Sequence, residues 1–439
     1  MKNFCLAASL FLLALASASA AEIPRHIFYH DLELDWQPDQ FEGEMERSMK
    51  RWKTEMTDAG FRPFVSYWGD YLANPVGGLS QEGSWQQLLI VGGEVSLDKT
   101  IGLPGGSLVV SVTDAAGSNL SQTVGNVFTI SQARVMNTFA LYDLYYKQRL
   151  FHDHLEINVG RFSAGQYFAT LPAMGQVVSG AVNGNPTSLF LNAPYHATAS
   201  ASWAAHAKVK NEHAYLEAGV FQASPRIGNP AYHGADFTIQ PGDGVLIMAE
   251  MGWTPTFGEK STLGDGKKSV AVDEPGLKGV YTFGAYYANY TFDTFQGGTA
   301  HNAYGFYWMA QQMVWRSRAN HHHHLTLWGG ITYSPQEDIA QMPVMGFGGI
   351  AWQGPIPGRD TDNLLLSFYT GNFSGPYADA QTAAGQGRPS IETVLEASYI
   401  IQLTSNLQLQ PDLQYIIQPG GTGDIPNALV IGFQVGLTF

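Results

Sequence analysis

The last fourteen residues, Pro426 to Phe439 (PNALVIGFQVGLTF), alternate with a period of two. Leu429, Ile431, Phe433, Val435, Leu437 and Phe439 share one parity; Val430, Gly432, Gln434, Gly436 and Thr438 share the other. In a strand, successive side chains point to opposite faces. One face here is wholly apolar and the other mostly small or polar, and the run stops on an aromatic residue at the chain end. That pattern predicts the closing strand of an outer-membrane β-barrel, apolar toward lipid and polar toward a lumen.

The other end of the chain indicates the same compartment. Lys2 gives a positive start, Leu6 to Leu15 (LAASLFLLAL) is apolar, and Ala18-Ser19-Ala20 is a small-residue cleavage site. We read 1–20 as a secretory signal peptide, too short and wrongly flanked for a spanning helix. Cys5, the only cysteine, lies within it, so the mature chain is expected to lack disulfides. No later stretch reaches the roughly 18 consecutive apolar residues of a membrane helix. Yet charged residues are only 14% of the chain, against about 25% in an average soluble domain. A closed hydrogen-bonded barrel reconciles low charge with the absence of an apolar helix. The formal charge of −14 argues against a nucleic-acid partner.

Residues 21–60 differ from the remainder. Met45, Met49, Trp52 and Met56 recur at helical spacing, acidic residues lead, basic residues follow, and Gly60 ends the run. This predicts a short periplasmic amphipathic helix, with two roles open: a packing element beside the barrel, or a plug partly entering it. From Phe61 to the C-terminus, sixteen strand-like runs are expected near 63–74, 84–98, 106–115, 138–150, 152–163, 197–209, 211–222, 243–254, 277–291, 302–316, 322–334, 345–356, 361–372, 389–402, 405–418 and 426–439. The fold class is therefore all-β: a transmembrane antiparallel barrel over 61–439. Short connections (209–212, 149–153, 319–323) fall at periplasmic positions and long ones (116–137, 164–196, 222–242) at extracellular positions; 255–275 is the exception. Sixteen strands leave an aqueous channel, whereas about eight would be filled by side chains. The 164–196 connection, with few charges, is expected to fold inward and form a neutral constriction.

Several runs resemble carbohydrate-selective porins of the OprB family: ALYDLYYKQRL (Ala140 to Leu150), VGRFSAGQYFA (Val159 to Ala169), GVLIMAEMGWTP (Gly244 to Pro255), LKGVYTFGAYY (Leu277 to Tyr287), YWMAQQMVWR (Tyr307 to Arg316) and ALVIGFQVGLTF (Ala428 to Phe439). The resemblance implies passive diffusion of glucose and other sugars through a barrel in the bacterial outer membrane, with small sugars or polyols as solutes and membrane lipids as surroundings. It implies no cofactor. Monomer and homo-oligomer both stay open.

Such a channel needs polar lumen groups that replace part of a solute's hydration. Strand parity aims Glu94, Ser96 and Asp98 inward, together with Asp143, Lys147 and Arg149, then Tyr215 and Glu217, Glu250, and Trp328. Arg161 and Arg316 are further pore-lining candidates. Arg161 shares parity with lipid-facing Leu155, Ile157 and Val159, so it lines the pore only if a bulge beside Gly160 turns it. Arg134 is a weaker candidate in a loop. Trp85, Tyr145, Tyr146, Trp253, Trp308 and Trp315 read as interfacial girdle residues. His321 to His324 read as a solvated turn rather than a metal site.

Two other functions compete. One is a general, nonselective porin. The other is a barrel enzyme such as a lipase, for which Ser200, Ser202 and His206 lie on one strand face. Strand residues two apart are about 7 Å apart, too far for a serine–histidine contact, and no G-x-S-x-G elbow occurs.

Overall fold

The structure is a computed structural model and describes residues 44–133, 137–258 and 276–439, without the side chains of 44–47 and 49. The expected signal peptide, the 21–43 segment, Arg134 and most of 255–275 lie outside the described residues.

Seventeen antiparallel strands follow one another along the chain. They are β1 (Phe61–Val76), β2 (Gly83–Ser96), β3 (Gly106–Gly117), β4 (Thr138–Leu150), β5 (Leu155–Phe162), β6 (Ser202–Lys210), β7 (Ala214–Ala223), β8 (Gly244–Trp253), β9 (Thr256–Phe257), β10 (Leu277–Asp293), β11 (Thr299–Arg316), β12 (His324–Tyr333), β13 (Val344–Gln353), β14 (Asn363–Asn372), β15 (Ile391–Gln402), β16 (Leu407–Ile417) and β17 (Ala428–Thr438). Each pairs with its sequence neighbours, except that β8 and the two-residue β9 both pair with β10. β1 pairs with both β2 and β17. The ring therefore closes on sixteen strands, with β9 a short extension beside β10. Closure leaves no sheet edge, which a membrane span requires because lipid cannot satisfy a free N–H or C=O.

The burial pattern reverses that of a soluble protein. On β16, Gln410, Asp412 and Gln414 are at most 4% exposed, while Leu413 and Tyr415 on the other parity are 43% and 38% exposed. The polar parity faces a lumen packed with protein, and the apolar parity faces outward to lipid. β17 follows its sequence pattern: Val430 and Gln434 are buried within, and Ile431 and Phe433 are exposed without. Both termini of the barrel, and tight turns such as that from Leu150 to Leu155, lie at one end. The long connections 118–137, 163–201 and 224–243 lie at the other.

Helix α1 (Glu44–Asp58) touches the rim at the terminal end. Trp52 stacks on Phe439 with centroids 6.1 Å apart, and Lys53 Nζ lies 4.7 Å from the same ring. Lys99 Nζ donates to Thr57 O, tying α1 to the turn after β2. That turn is itself helical, α2 (Leu97–Ile101): the Ser96 side chain caps it and Gly102 ends it at φ +73°. The strand predicted to 98 therefore stops at Ser96.

Candidate permeation pathway

Two connections leave the barrel wall and pack inside it. The first, described over 118–133, starts with α3 (Leu120–Val124). The second, 163–201, contains α4 (Thr187–Asn192). Phe168, Leu171, Met174, Val177, Val178, Ala181 and Val182 of the second are fully buried and form one apolar cluster within the barrel. No Asp, Glu, Lys or Arg occurs between 163 and 201. A chain segment placed inside a barrel has few backbone partners of its own, so its N–H and C=O groups must find side-chain partners on the wall.

The wall supplies those partners on many strands. Ala169 N–H donates to Glu250 on β8 at 2.9 Å, and Ala173 N–H to Gln311 on β11 at 2.9 Å. Gln410 on β16 donates to Gln176 O at 2.7 Å, and Asn363 on β14 donates to the Gln176 side chain at 2.5 Å. Val178 and Ser179 N–H both donate to Glu396 on β15, at 2.7 and 3.3 Å. Ser188 and Thr332 share a hydroxyl–hydroxyl bond of 2.6 Å, and Asn192 donates to Met342 O at 2.7 Å. The shorter inserted connection is held likewise. Val127 and Phe128 N–H donate to Glu392, Gln414 donates to Ile130 O, and Ser131 donates to Asp70.

Below these loops, toward the terminal end, the wall carries a charge network. Lys147 Nζ is 3.3 Å from Glu94, and Arg149 bridges Glu94 and Glu156 at 3.8 and 3.7 Å. Farther round, Glu217 contacts His206 at 2.9 Å and Lys208 at 3.6 Å, and Lys208 Nζ lies 4.0 Å from the Tyr215 ring centroid. Glu250 accepts from the hydroxyls of Tyr215 and Tyr307 at 2.6 and 2.7 Å.

The structure sorts the sequence candidates. Glu94, Asp143, Lys147, Glu217, Glu250 and Trp328 are buried on the inward parity, and Arg149 is partly exposed beside Glu94 and Glu156. Arg316 pairs with His324 beyond a bulge between Met313 and Trp315, and donates to Gly276 O. Asp98 is not in the lumen: it sits on α2, exposed in the turn after β2. Arg161 is not a lumen residue either. The β4–β5 register runs unbroken through Leu144 and Arg161, so no bulge turns it. Its guanidinium donates to the carbonyls of Ala201, Gly234 and Asp236, beneath connection 224–243. Phe237 of that connection lies 4.8 Å from its Cζ.

Tyr145, expected in the girdle, points inward, on the same parity as Asp143 and Lys147. β4 also carries an extra residue: Ser111 pairs with Asp143 while Val112 pairs with Leu141. Tyr142 and Asp143 then both face the lumen, and Tyr145 packs on Phe162 at 5.1 Å. Trp85, Trp253, Trp308 and Trp315 are exposed outward. His323 bonds to Asp360 of the next turn at 2.7 Å, and no group of three or more potential metal ligands occurs among the described residues. His206 contacts Glu217 and Asn158 through its two ring nitrogens, and neither partner is a serine. Alternation along β15 and β16 puts Glu392, Glu396, Gln410 and Gln414 on the inward face, but their role as loop anchors has no signal in the sequence.

Residues 81–439 match the model of the carbohydrate-selective porin, OprB family. The chain belongs to that family. Porin B of Pseudomonas aeruginosa is 25% identical over 434 residues, covering 88% of this chain and 89% of that protein. The high-pH structure of Pseudomonas putida OprB superposes with a TM-score of 0.79 at 20% identity, covering 90% of this chain and 98% of that one. The low-pH structure of the same relative gives a TM-score of 0.57 at 16% identity, covering 92% and 100%. This OprB-family protein is thus a carbohydrate-selective porin of the bacterial outer membrane, and its fold and family are those of a channel. The long connections accordingly face outside the cell and the short turns face the periplasm.

Proposed function

We propose that connection 163–201 forms the selective constriction, and that it favours small sugars and polyols because it is neutral. The carrying observation is its composition: a mostly buried segment without an Asp, Glu, Lys or Arg, placed across the lumen of a charged barrel. An ion entering such a segment gives up hydration without a counter-charge, which is costly. A sugar hydroxyl instead exchanges water for amide, hydroxyl and backbone groups that can both donate and accept. Glu94, Lys147, Arg149, Glu217, Glu250, Arg316 and Trp328 form the wall on either side. Their charges are largely paired or hydrogen-bonded, so they present dipoles rather than a strong field of one sign.

Liposome swelling tests this reading. Neutral monosaccharides are expected to enter faster than amino acids of equal size and faster than charged sugar acids. Equal rates for all solutes of one size would favour the general, nonselective porin and sink the selective one. The absence of any swelling would sink the channel itself.

A further inference from the structure

Among the described residues, three buried wall glutamates have no basic partner. Glu392 and Glu396 lie four residues apart on β15, on the same inward face. Glu392 accepts the backbone N–H groups of Val127 and Phe128 from one inserted loop, and that of Gly420 from the β16–β17 connection. Glu396 accepts Val178 and Ser179 N–H from the other inserted loop, and the Tyr369 hydroxyl at 2.5 Å. On the opposite side of the ring order, Glu250 repeats the arrangement with Ala169 N–H and two tyrosine hydroxyls. Three separate connections are thus tied to one strand through two side chains.

The chemistry suits anchoring. A carboxyl group offers up to about four lone-pair directions, so one side chain can accept several backbone N–H groups at once. Apolar packing alone is non-directional, so it cannot fix how far a neutral loop projects into the lumen. Directional bonds to the wall can.

We propose that Glu396, supported by Glu392 and Glu250, sets the width of the passage and so the size of sugar admitted. These are positioning residues: they act through the backbone of the inserted loops and need not touch the solute. The proposal rests on the reading of 163–201 as the constriction. When Glu396 loses its carboxylate, the N–H groups of Val178 and Ser179 are left buried without acceptors. The segment around them then leaves the wall to find water, and its grip on the passage loosens.

The test uses purified, folded porin in liposomes and reads the ratio of swelling rates, trisaccharide over monosaccharide. Heat-modifiable gel migration confirms that the barrel is folded. Glu396→Ala is expected to raise the ratio by on the order of tenfold, the population change equivalent to losing its two loop hydrogen bonds at the modest net strength usual for such bonds. Glu396→Gln is expected to stay near wild type. Its amide oxygen still accepts from Val178, and its NH2 can donate to Asp412, which Glu396 contacts on β16. Should Glu396→Ala fail to fold, Val178→Pro removes the donor from the loop side instead. Val177, at φ −81° and ψ 157°, already has the extended backbone that a residue before proline needs. It is expected to raise the ratio as Glu396→Ala does. A folded Glu396→Ala or Val178→Pro with the wild-type ratio overturns the proposal, as does equal widening by the Gln and Ala variants. Failure of the underlying reading looks different: wild-type protein would then show no dependence of rate on sugar size.

Discussion

Replacing Glu94 with Gln should destabilise the barrel strongly, and replacing Lys147 as well should restore most of the loss. The Lys147 side chain is 1% exposed and its ammonium lies 3.3 Å from Glu94. Removing one partner of a buried pair costs about 3–5 kcal/mol, because a desolvated charge is left uncompensated. Glu156 still acts on Lys147 through space, so the low end, about 3 kcal/mol, is the expected loss. That corresponds to roughly a hundredfold change in the unfolding equilibrium. Arg149 adds little to the loss, since it is more exposed and keeps Glu156 as a partner. In Glu94→Gln/Lys147→Met, neither charge remains to be desolvated, and replacing a buried pair by uncharged residues of similar volume is often close to neutral. The assay is urea unfolding of porin in lipid vesicles, followed by tryptophan fluorescence and by gel migration. A Glu94→Gln protein within about 1 kcal/mol of wild type would refute the reasoning, since it would put this pair in the weak class of exposed ion pairs. So would a double variant no more stable than the single one.

Three further outcomes follow from named contacts. Cysteines replacing Ser188 and Thr332, whose hydroxyl oxygens are 2.6 Å apart, should form a disulfide and leave sugar swelling unchanged, because the loop is already fixed to the wall there; a fall in rate reversed by reductant would show instead that this segment moves during passage. Arg161→Ala should free connection 224–243, and trypsin should then cut after Arg226 faster while swelling stays at the wild-type rate; unchanged cleavage would mean that the three carbonyl bonds of Arg161 do not hold the loop. Asp236, in the same connection, is held down to about 2 from an ordinary 3.8 by bonds from the Thr238 hydroxyl, the Thr238 N–H and Arg226. A lowered carboxylate contributes its stabilisation fully above its unfolded value and loses it as pH falls through the folded one. Pepsin should therefore spare this connection near pH 4 and cut it as pH drops to about 2, with Asp236→Asn cut at both; indifference of the wild type to pH in that window would contradict the assignment.

The barrel was legible because its signal is local. Alternation along β15, β16 and β17 sets each inward and outward residue without reference to any other strand, and the turn residues between runs set where each begins. Small misplacements have local causes as well. β5 starts at Leu155 rather than 152 because Phe151, His152 and Asp153 all adopt positive φ in the turn. β6 starts at Ser202 rather than 197 because the chain up to Ala201 still belongs to the inserted loop, with the Ala201 carbonyl bonded to Arg161. Tyr142 shows the limit of parity: it alternates with outward Leu144 and Tyr146, yet one extra residue in β4 turns it into the lumen beside Asp143. No residue type in ALYDLYYKQRL announces that insertion.

The selective part of the molecule was legible only in outline, and the reason is distance along the chain. Low charge and length marked 163–201 as a segment able to enter the lumen, yet what holds it there is a set of bonds such as Val178 to Glu396, 218 residues apart, while Phe128 and Glu392 of the companion loop are 264 apart. A glutamate that anchors a loop and a glutamate that lines water look the same on a strand, since both occupy the inward parity. What separates them is a backbone N–H arriving from elsewhere, which no period encodes. This division also bears on selectivity. If Glu392, Glu396 and Glu250 are occupied by backbone groups, they are withdrawn from the field that a passing solute meets, and the passage is more nearly neutral than the net charge of the chain suggests. The carboxylates of the wall would then serve a sugar channel twice: they hold a neutral loop across the lumen, and in holding it they cease to repel or attract ions there.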